Sequence, residues 1–301
     1  MIERMSTVQL HGTALASIAE AQAAVTRLQT QLGTGKRLLA PSDDASASTE
    51  LLRLKSALTR TETLQKNLDV AETNITIEET ALTSAMNVLQ RVRELMLLGN
   101  TDTLGVDERY AVTAELDQLK EQLLTIANTQ SASGDFVFAG TAVDRPAFTS
   151  DGIFLGNDNR LSINVAKGVT MPVRSIGSAL FGNAALGSDV FGVINDFNNG
   201  MLQSNANASD GAGLSIALDK IDVFMDNISS ARSEAGTKLN RIDDQRAIHE
   251  STSLHVTKVI SKLEDVDFAK AVSELNLHMT ALQAAQQTFV KTQNMTIFNY
   301  M

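Results

Sequence analysis

Four places in the sequence carry residue types that could do chemistry. Gly33-Thr34-Gly35-Lys36 has the outline of a phosphate-cradling loop. Such a loop also needs a glycine five positions before the Gly-Lys pair and a hydroxyl residue after the lysine. Thr30 and Arg37 occupy those positions, so the outline is incomplete. Asp43-Asp44 is a carboxylate pair, but it precedes an apolar helical pattern, where carboxylates cap orphan amides and complement the helix dipole. Asn157-Asp158-Asn159 offers calcium-type oxygens, yet no glutamate follows at calcium-loop spacing, and a turn is the better reading. His249, His255 and His278 have no spacing that places two on one helix face as ligands. No nucleophile–base–acid set stands out. The expectation is a protein with no catalytic, cofactor or metal site. Phe298 and Tyr300, at the C-terminal end, read equally well as contacts to another protein and as a frayed tail.

Composition points the same way. The net charge is -10 and the pI about 4.9. Nucleic acid and anionic lipid both require a basic footprint, so neither is expected as a partner. With no cysteine, disulfides, thiolate nucleophiles and Cys-based metal sites are excluded. No apolar run approaches the ~18 residues that a membrane span needs. Met1 to Leu10 lacks a continuous apolar stretch, and a cleavable secretory signal is not expected. Hydrophobic residues make up 43%, but aromatics only 4%. Ala, Leu, Ile and Val must therefore supply the interior, which favours slender helix–helix seams. The three prolines leave room for long helices.

Apolar residues recur by threes and fours through most of the chain. The first seam is His11, Ala14, Ile18, Ala21, Val25, Leu28, Leu32. A second runs from Leu54 through Leu68, Ile75, Leu82 and Leu89 to Met96, broken only by Thr61 and Glu78. A helix from Asp44 to Leu98 would be roughly 80 Å long. After a turn over Asn100 to Gly105, a third helix carries Val112, Leu116, Leu119, Leu123 and Ile126, and a short link folds it back on the second. The pattern then changes. Asp135–Gly140, Gly152–Leu155, Arg160–Val165 and Val169–Val173 read as strands, with turns at Gly156–Asn159 and Lys167-Gly168. A short helix at Asp189–Asn195 and a polar loop over Asn198–Gly213 lead out. Heptads resume from Leu214 to Leu263, and a last helix carries Phe268, Ala271, Leu275, His278, Leu282, Ala285 and Phe289.

Two breaks punctuate this plan. At the first, Gly33 and Gly35 read as helix terminators, because glycine adopts the left-handed conformation that closes a helix. Pro41 turns Ala40 away from helical geometry, and Asp43 and Asp44 start the next helix. The second break, Leu263 to Asp267, is its counterpart, with Asp265 and Asp267 able to cap. The fold expected is mainly α with a small β-rich insert: an elongated rod of long antiparallel helices with coiled-coil terminal arms. Its parts are arms at 1–41 and 265–301, a rod at 42–133 and 212–264, and a β-rich outer insert at 134–211. The arms' seam residues, Ile18, Val25, Leu28 and Leu32 with Leu275, Leu282 and Phe289, cannot bury a narrow stripe on isolated helices, so they call for partner helices.

Leu32-Gly-Thr-Gly-Lys-Arg37, followed by Pro41-Ser-Asp-Asp44, resembles the N-terminal signature of bacterial flagellins. Ile228-Ser-Ser-Ala-Arg-Ser-Glu-Ala-Gly-Thr-Lys-Leu-Asn-Arg241 and Glu264-Asp-Val-Asp-Phe-Ala269 resemble their C-terminal signatures. Within that family the nearer likeness is to subunits of the hook–filament junction. Phe136-Val-Phe-Ala-Gly140 with Pro146 and Phe148 carries it, as do Ala284–Thr292 and Met295–Phe298. The resemblance spans both helical regions and the start of the insert, and is weak over Asp151–Gly213. Ala45 stands where the family often has proline, a favourable but dispensable residue at a first helical turn. The resemblance implies a structural subunit forming the junction ring between hook and filament by coiled-coil self-assembly. Its implied partners are copies of itself, other axial proteins (the second hook-associated protein and flagellin) and an export chaperone at the C-terminal region. It also implies type III export of an unfolded chain that is secreted to the flagellum. The alternatives are a filament flagellin and a coiled-coil scaffold with no flagellar role.

Overall fold

The computed structural model describes residues 7–99, 104–203 and 211–293. The expected turn at Asn100, the middle of the loop over Asn198–Gly213, and Phe298 and Tyr300 lie outside or partly outside the described residues. The element order is α1 (Thr7–Thr34), α2 (Ala45–Gly99), α3 (Val106–Ala127), β1 (Ser162–Ala166), β2 (Val169–Pro172), α4 (Gly177–Phe181), β3 (Gly182–Asn183), β4 (Ser188–Asp189), α5 (Val190–Gln203), α6 (Gly211–Glu264) and α7 (Phe268–Gln293). Helix α2 is 55 residues long and α6 is 54. The molecule is mainly α with a small antiparallel β component.

Contacts divide the chain into two units, Met1–Thr61 with Ser251–Met301, and Glu62–Glu250. In the first, α1 packs along α7. The seam is thin: Val25, Leu28, Gln31 and Ala271 are buried, while Ile18, Leu32, Leu275, Leu282 and Phe289 are half-buried.

The second unit holds the main core. The seam on α2 buries Leu68, Ala71, Ile75, Leu82, Ala85, Leu89, Val92 and Met96. Helix α3 adds Val112, Leu116 and Leu123, and α6 adds Ile221 and Ile228. Strands β1 and β2 form an antiparallel hairpin turned at Gly168 (φ 75°). Val165, Met171 and Val173 from that hairpin close a second cluster with Leu68, Ile75, Ala235 and Ile242.

The structure differs from the sequence reading chiefly between α3 and α6, where α4, β3 and β4 were not expected. Asp135–Gly140 and Gly152–Leu155 are not strands; each contributes one isolated bridge, Phe136 to Gln130 and Phe154 to Phe148. Their backbones are satisfied piecemeal instead, as in Val137 N–H to the Thr129 carbonyl at 3.0 Å and Gly177 N–H to the Phe138 carbonyl at 2.9 Å. What draws them inward is aromatic packing. Eight of the eleven phenylalanines fall between Phe136 and Phe224. Phe148 meets Phe154, Phe181 and Phe191 with ring centroids 5.3, 5.8 and 5.6 Å apart, so this part of the chain has the thick interior that the low aromatic content argued against. Finally, α5 continues to Gln203, through the first part of the expected loop. Asn198 and Met201 are buried on that extension, on the same face as Ile194, and α5 packs against α3.

Candidate assembly interface

The predicted joint residues gather in the first unit. Gly35 takes φ 71°, the left-handed conformation that ends α1. Gly33 does not: it is the last residue but one of α1, and a side chain there would meet open space. Only one of the two expected terminators therefore does that work, because a single left-handed residue closes a helix.

Beyond Gly35 the chain pairs with the second break. Lys36 and Asp265 form an antiparallel bridge. Arg37 N–H donates to the Glu264 carbonyl at 2.7 Å, and Val266 N–H to the Gly35 carbonyl at 2.9 Å. The Lys36 ammonium lies 2.7 Å from the Glu264 carboxylate and the Lys55 ammonium 3.0 Å from the same oxygen. Arg37 Nη2 donates to the Leu263 carbonyl at 2.9 Å. Arg37 thus serves the C-terminus of α6, where carbonyls lack intrahelical donors, while Lys36 pairs with the side chain of its last residue.

The acidic residues divide the capping. Asp44 accepts from Ala47 N–H at 2.9 Å and caps α2. Asp267 accepts from Lys270 N–H at 3.1 Å and caps α7. Asp43 faces backward: its Oδ2 accepts from Leu39 and Ala40 N–H, both at 3.0 Å, and folds the turn at Pro41. Asp265 accepts from Ser261 Oγ. The amides of Ala40 and Leu39 hold the Asp43 carboxyl below its ordinary range. The Lys36 ammonium, then Lys55, does the same for Glu264, which in turn raises Lys36.

Sequence reasoning missed Lys55 and Gln31, and the charge partners of Glu264. Gln31 is buried and donates to the Arg37 carbonyl at 2.7 Å. A polar residue next to a seam position was the only trace of it. Glu264 was visible as part of the second break, but its charge partner is 228 residues away and sequence spacing cannot name it.

A cavity of about 380 Å³ beside α1 and α7 is lined by Arg27, Gln31, Arg37, Lys270, Glu274 and His278. Among the described residues no group of three or more His, Asp or Glu side chains could hold a metal ion. Asn157 Oδ1 is occupied by Thr141 N–H and Oγ1 and by Asn159 N–H at 3.0 to 3.2 Å, so it serves a turn. His249 contacts the Val165 carbonyl at 2.8 Å and fastens β1 to α6. What the unit offers is apolar surface off its seam: Leu15, Phe268, Val272, Leu277, Met279 and Val290 are exposed on α1 and α7.

Comparison with known proteins fits this arrangement. The model of the bacterial flagellin N-terminal helical region matches residues 5–143, and that of the C-terminal helical region matches residues 218–301. Flagellar hook-associated protein 3 of Escherichia coli K12 is 25% identical over 312 residues, covering 98% of each chain. The protein of the same name from Salmonella typhimurium LT2 is 25% identical, again over 98% of each. Flagellin of Bacillus subtilis 168 is 25% identical over 263 residues, 85% of each. Among solved structures, a putative flagellar hook-associated protein from Vibrio parahaemolyticus superposes with TM-score 0.68 at 27% identity, over 74% of this chain and 100% of that one. FlgL of Xanthomonas campestris gives TM-score 0.62 at 18% identity, over 69% of this chain and 99% of that one, which shows a shared fold. Both ends match, and the match at each end carries the joint residues described above: the chain belongs to the bacterial flagellin family.

Proposed function

We propose that this chain is a structural, non-enzymatic subunit of the bacterial flagellum that forms the ring joining hook to filament. The observation that carries this reading is length. Alignment to hook-associated protein 3 runs through 98% of both chains, insert included, whereas alignment to Bacillus flagellin covers 85%. On this reading residues 1–41 and 265–301 are the assembly arms, 42–133 and 212–264 the rod, and 134–211 the outward insert. The seam residues Ile18, Val25, Leu28, Leu32, Leu275, Leu282 and Phe289 meet neighbouring axial subunits. Two helices sharing four buried residues leave most of their stripe half in water. Burial against neighbours recovers roughly 25 cal/mol per Å² of apolar surface, so ordering of the arms is coupled to assembly. The same reading assigns export through the type III apparatus, a chaperone on the C-terminal region, and contacts to flagellin and the second hook-associated protein.

The test is complementation. In a flagellate bacterium deleted for its own hook-associated protein 3, expression of this chain is expected to retain filaments on hooks. Continued loss of flagellin monomers to the medium overturns the reading. Polymerisation of the purified chain into long filaments favours a filament subunit instead, and export without the type III apparatus removes the flagellar assignment.

A further inference from the structure

We infer that neighbouring copies of this chain meet side by side through a knob on α3 and a groove on α6 of the second unit. The knob is Tyr110 with Val106, one helical turn apart and 58% and 69% exposed. The groove is a cavity of about 570 Å³ between α6 and the segment after β2, with Ile216, Val223 and Phe224 on its apolar wall, Asn183 opposite, and Asp219 and Lys220 at its rim. Ile216 and Val223 are also exposed.

Two ion pairs fix where these features lie. Arg91 and Arg93, two residues apart on α2, point about 200° away from each other around the helix. Arg91 pairs with Glu115 of α3 at 2.8 Å, and Arg93 with Asp222 of α6 at 2.7 Å. Helices α3 and α6 therefore meet the buried face of α2 from its two edges, with Glu115 and Asp222 at one level. Tyr110 is five residues from Glu115, roughly 7.5 Å along the axis. The groove spans residues 216–227, about as far to either side of Asp222. Knob and groove thus lie on different flanks of the helices at overlapping height. A contact between unlike surfaces on different flanks repeats in one direction and closes into a ring when the rotation allows. The charges suit it: the carboxylate of Asp107 beside the knob is opposite in sign to Lys220 at the groove rim, which within its own chain also acts on the Asp189 carboxyl. Tyrosine, a large rigid anchor with a polar tip, is the residue type enriched where interface energy concentrates.

The contact rests on the junction reading, and the cysteine-free chain makes it testable within assembled flagella. The Asp107→Cys/Lys220→Cys double variant keeps Tyr110 and Val223. Oxidation of junctions built from it is expected to give a ladder of covalent multimers, and neither single variant should give any product. Dimers from either single variant would show like surfaces meeting and overturn the contact. So would incorporated double variant that remains monomeric. Tyr110→Ser, at an exposed site, is expected to leave melting unchanged and lower incorporation roughly tenfold or more; incorporation at the wild-type level overturns the contact. Wild-type chain absent from the hook end fails the junction reading itself, which separates the two failures.

Discussion

Gly33 and Gly35 sit two residues apart and look interchangeable in the sequence, but their backbones are not alike. At Gly35 any side chain would have to adopt a left-handed conformation, while its nearest neighbour, the Phe268 ring at 3.9 Å, leaves ordinary room. Gly35→Ala is therefore expected to cost about 1 kcal/mol through backbone strain alone. Gly33→Ala, in helical geometry with open space, should stabilise the same unit by up to about 1 kcal/mol. Urea unfolding of each variant, followed by exchange at α1 amides, checks the opposite signs; equal effects would mean that both glycines end the helix. Glu78 makes a second residue-scale case. It breaks the apolar seam of α2, is buried, and accepts Ser175 N–H at 3.1 Å, while its other oxygen has no protein partner. Glu78→Gln keeps that acceptor without a buried charge, so stability at neutral pH should hold or rise. Glu78→Leu orphans the Ser175 amide and should cost about 1–3 kcal/mol. Thermal melts of the two variants separate these outcomes.

Elements respond to pH with opposite signs. At the joint, Glu264 and Asp43 have lowered folded-state pKa values, from Lys36 and from the Ala40 amide respectively. Their contribution is present above the ordinary carboxylate range and lost as pH falls through their folded values, below about pH 4. In the second unit, burial raises Glu78 and Asp189. Their contribution is complete below the ordinary range and lost as pH rises through the elevated values. Lowering pH from 7 to 4 should therefore relieve these two buried carboxyls of the second unit first, and further acid should loosen α1 and α7 before α2 and α3. Amide exchange resolved by segment reads this directly; earlier loosening of α3 than of α1 would contradict it. Such detail was only partly legible in the sequence. Helices with a heptad seam were readable because burial there repeats along one element: every α2 seam position from Leu68 to Met96 is buried, Glu78 included. The Phe136–Gly140 segment was not readable as coil, because Phe138 packs on the Phe181 ring with centroids 5.7 Å apart, a distant partner that periodicity does not encode. Within the joint, Asp44 and Asp267 were visible as local caps, whereas the Lys36–Glu264 pair joins two ends of the chain.

For the whole molecule, the two units differ in how much of their stability is their own. Glu62–Glu250 encloses two apolar clusters and the aromatic group around Phe148. Helices α1 and α7 share one thin seam with four buried residues, and a helix in a protein takes most of its stability from packing of its apolar face. In the dilute full-length monomer, α1 and α7 amides should exchange orders of magnitude faster than those of α2 between Leu68 and Met96. Limited proteolysis should trim both arms and stop near the joint, leaving a fragment close to Ser42–Leu263. That fragment should melt within a few degrees of the full-length chain, because the arms contribute little to the main transition. Assembly with hook or filament partners should then raise helicity and protect the arms together. Arms that are already protease-resistant and fully helical in the monomer would show a rod prepared in advance, and the coupling of arm folding to assembly would fail.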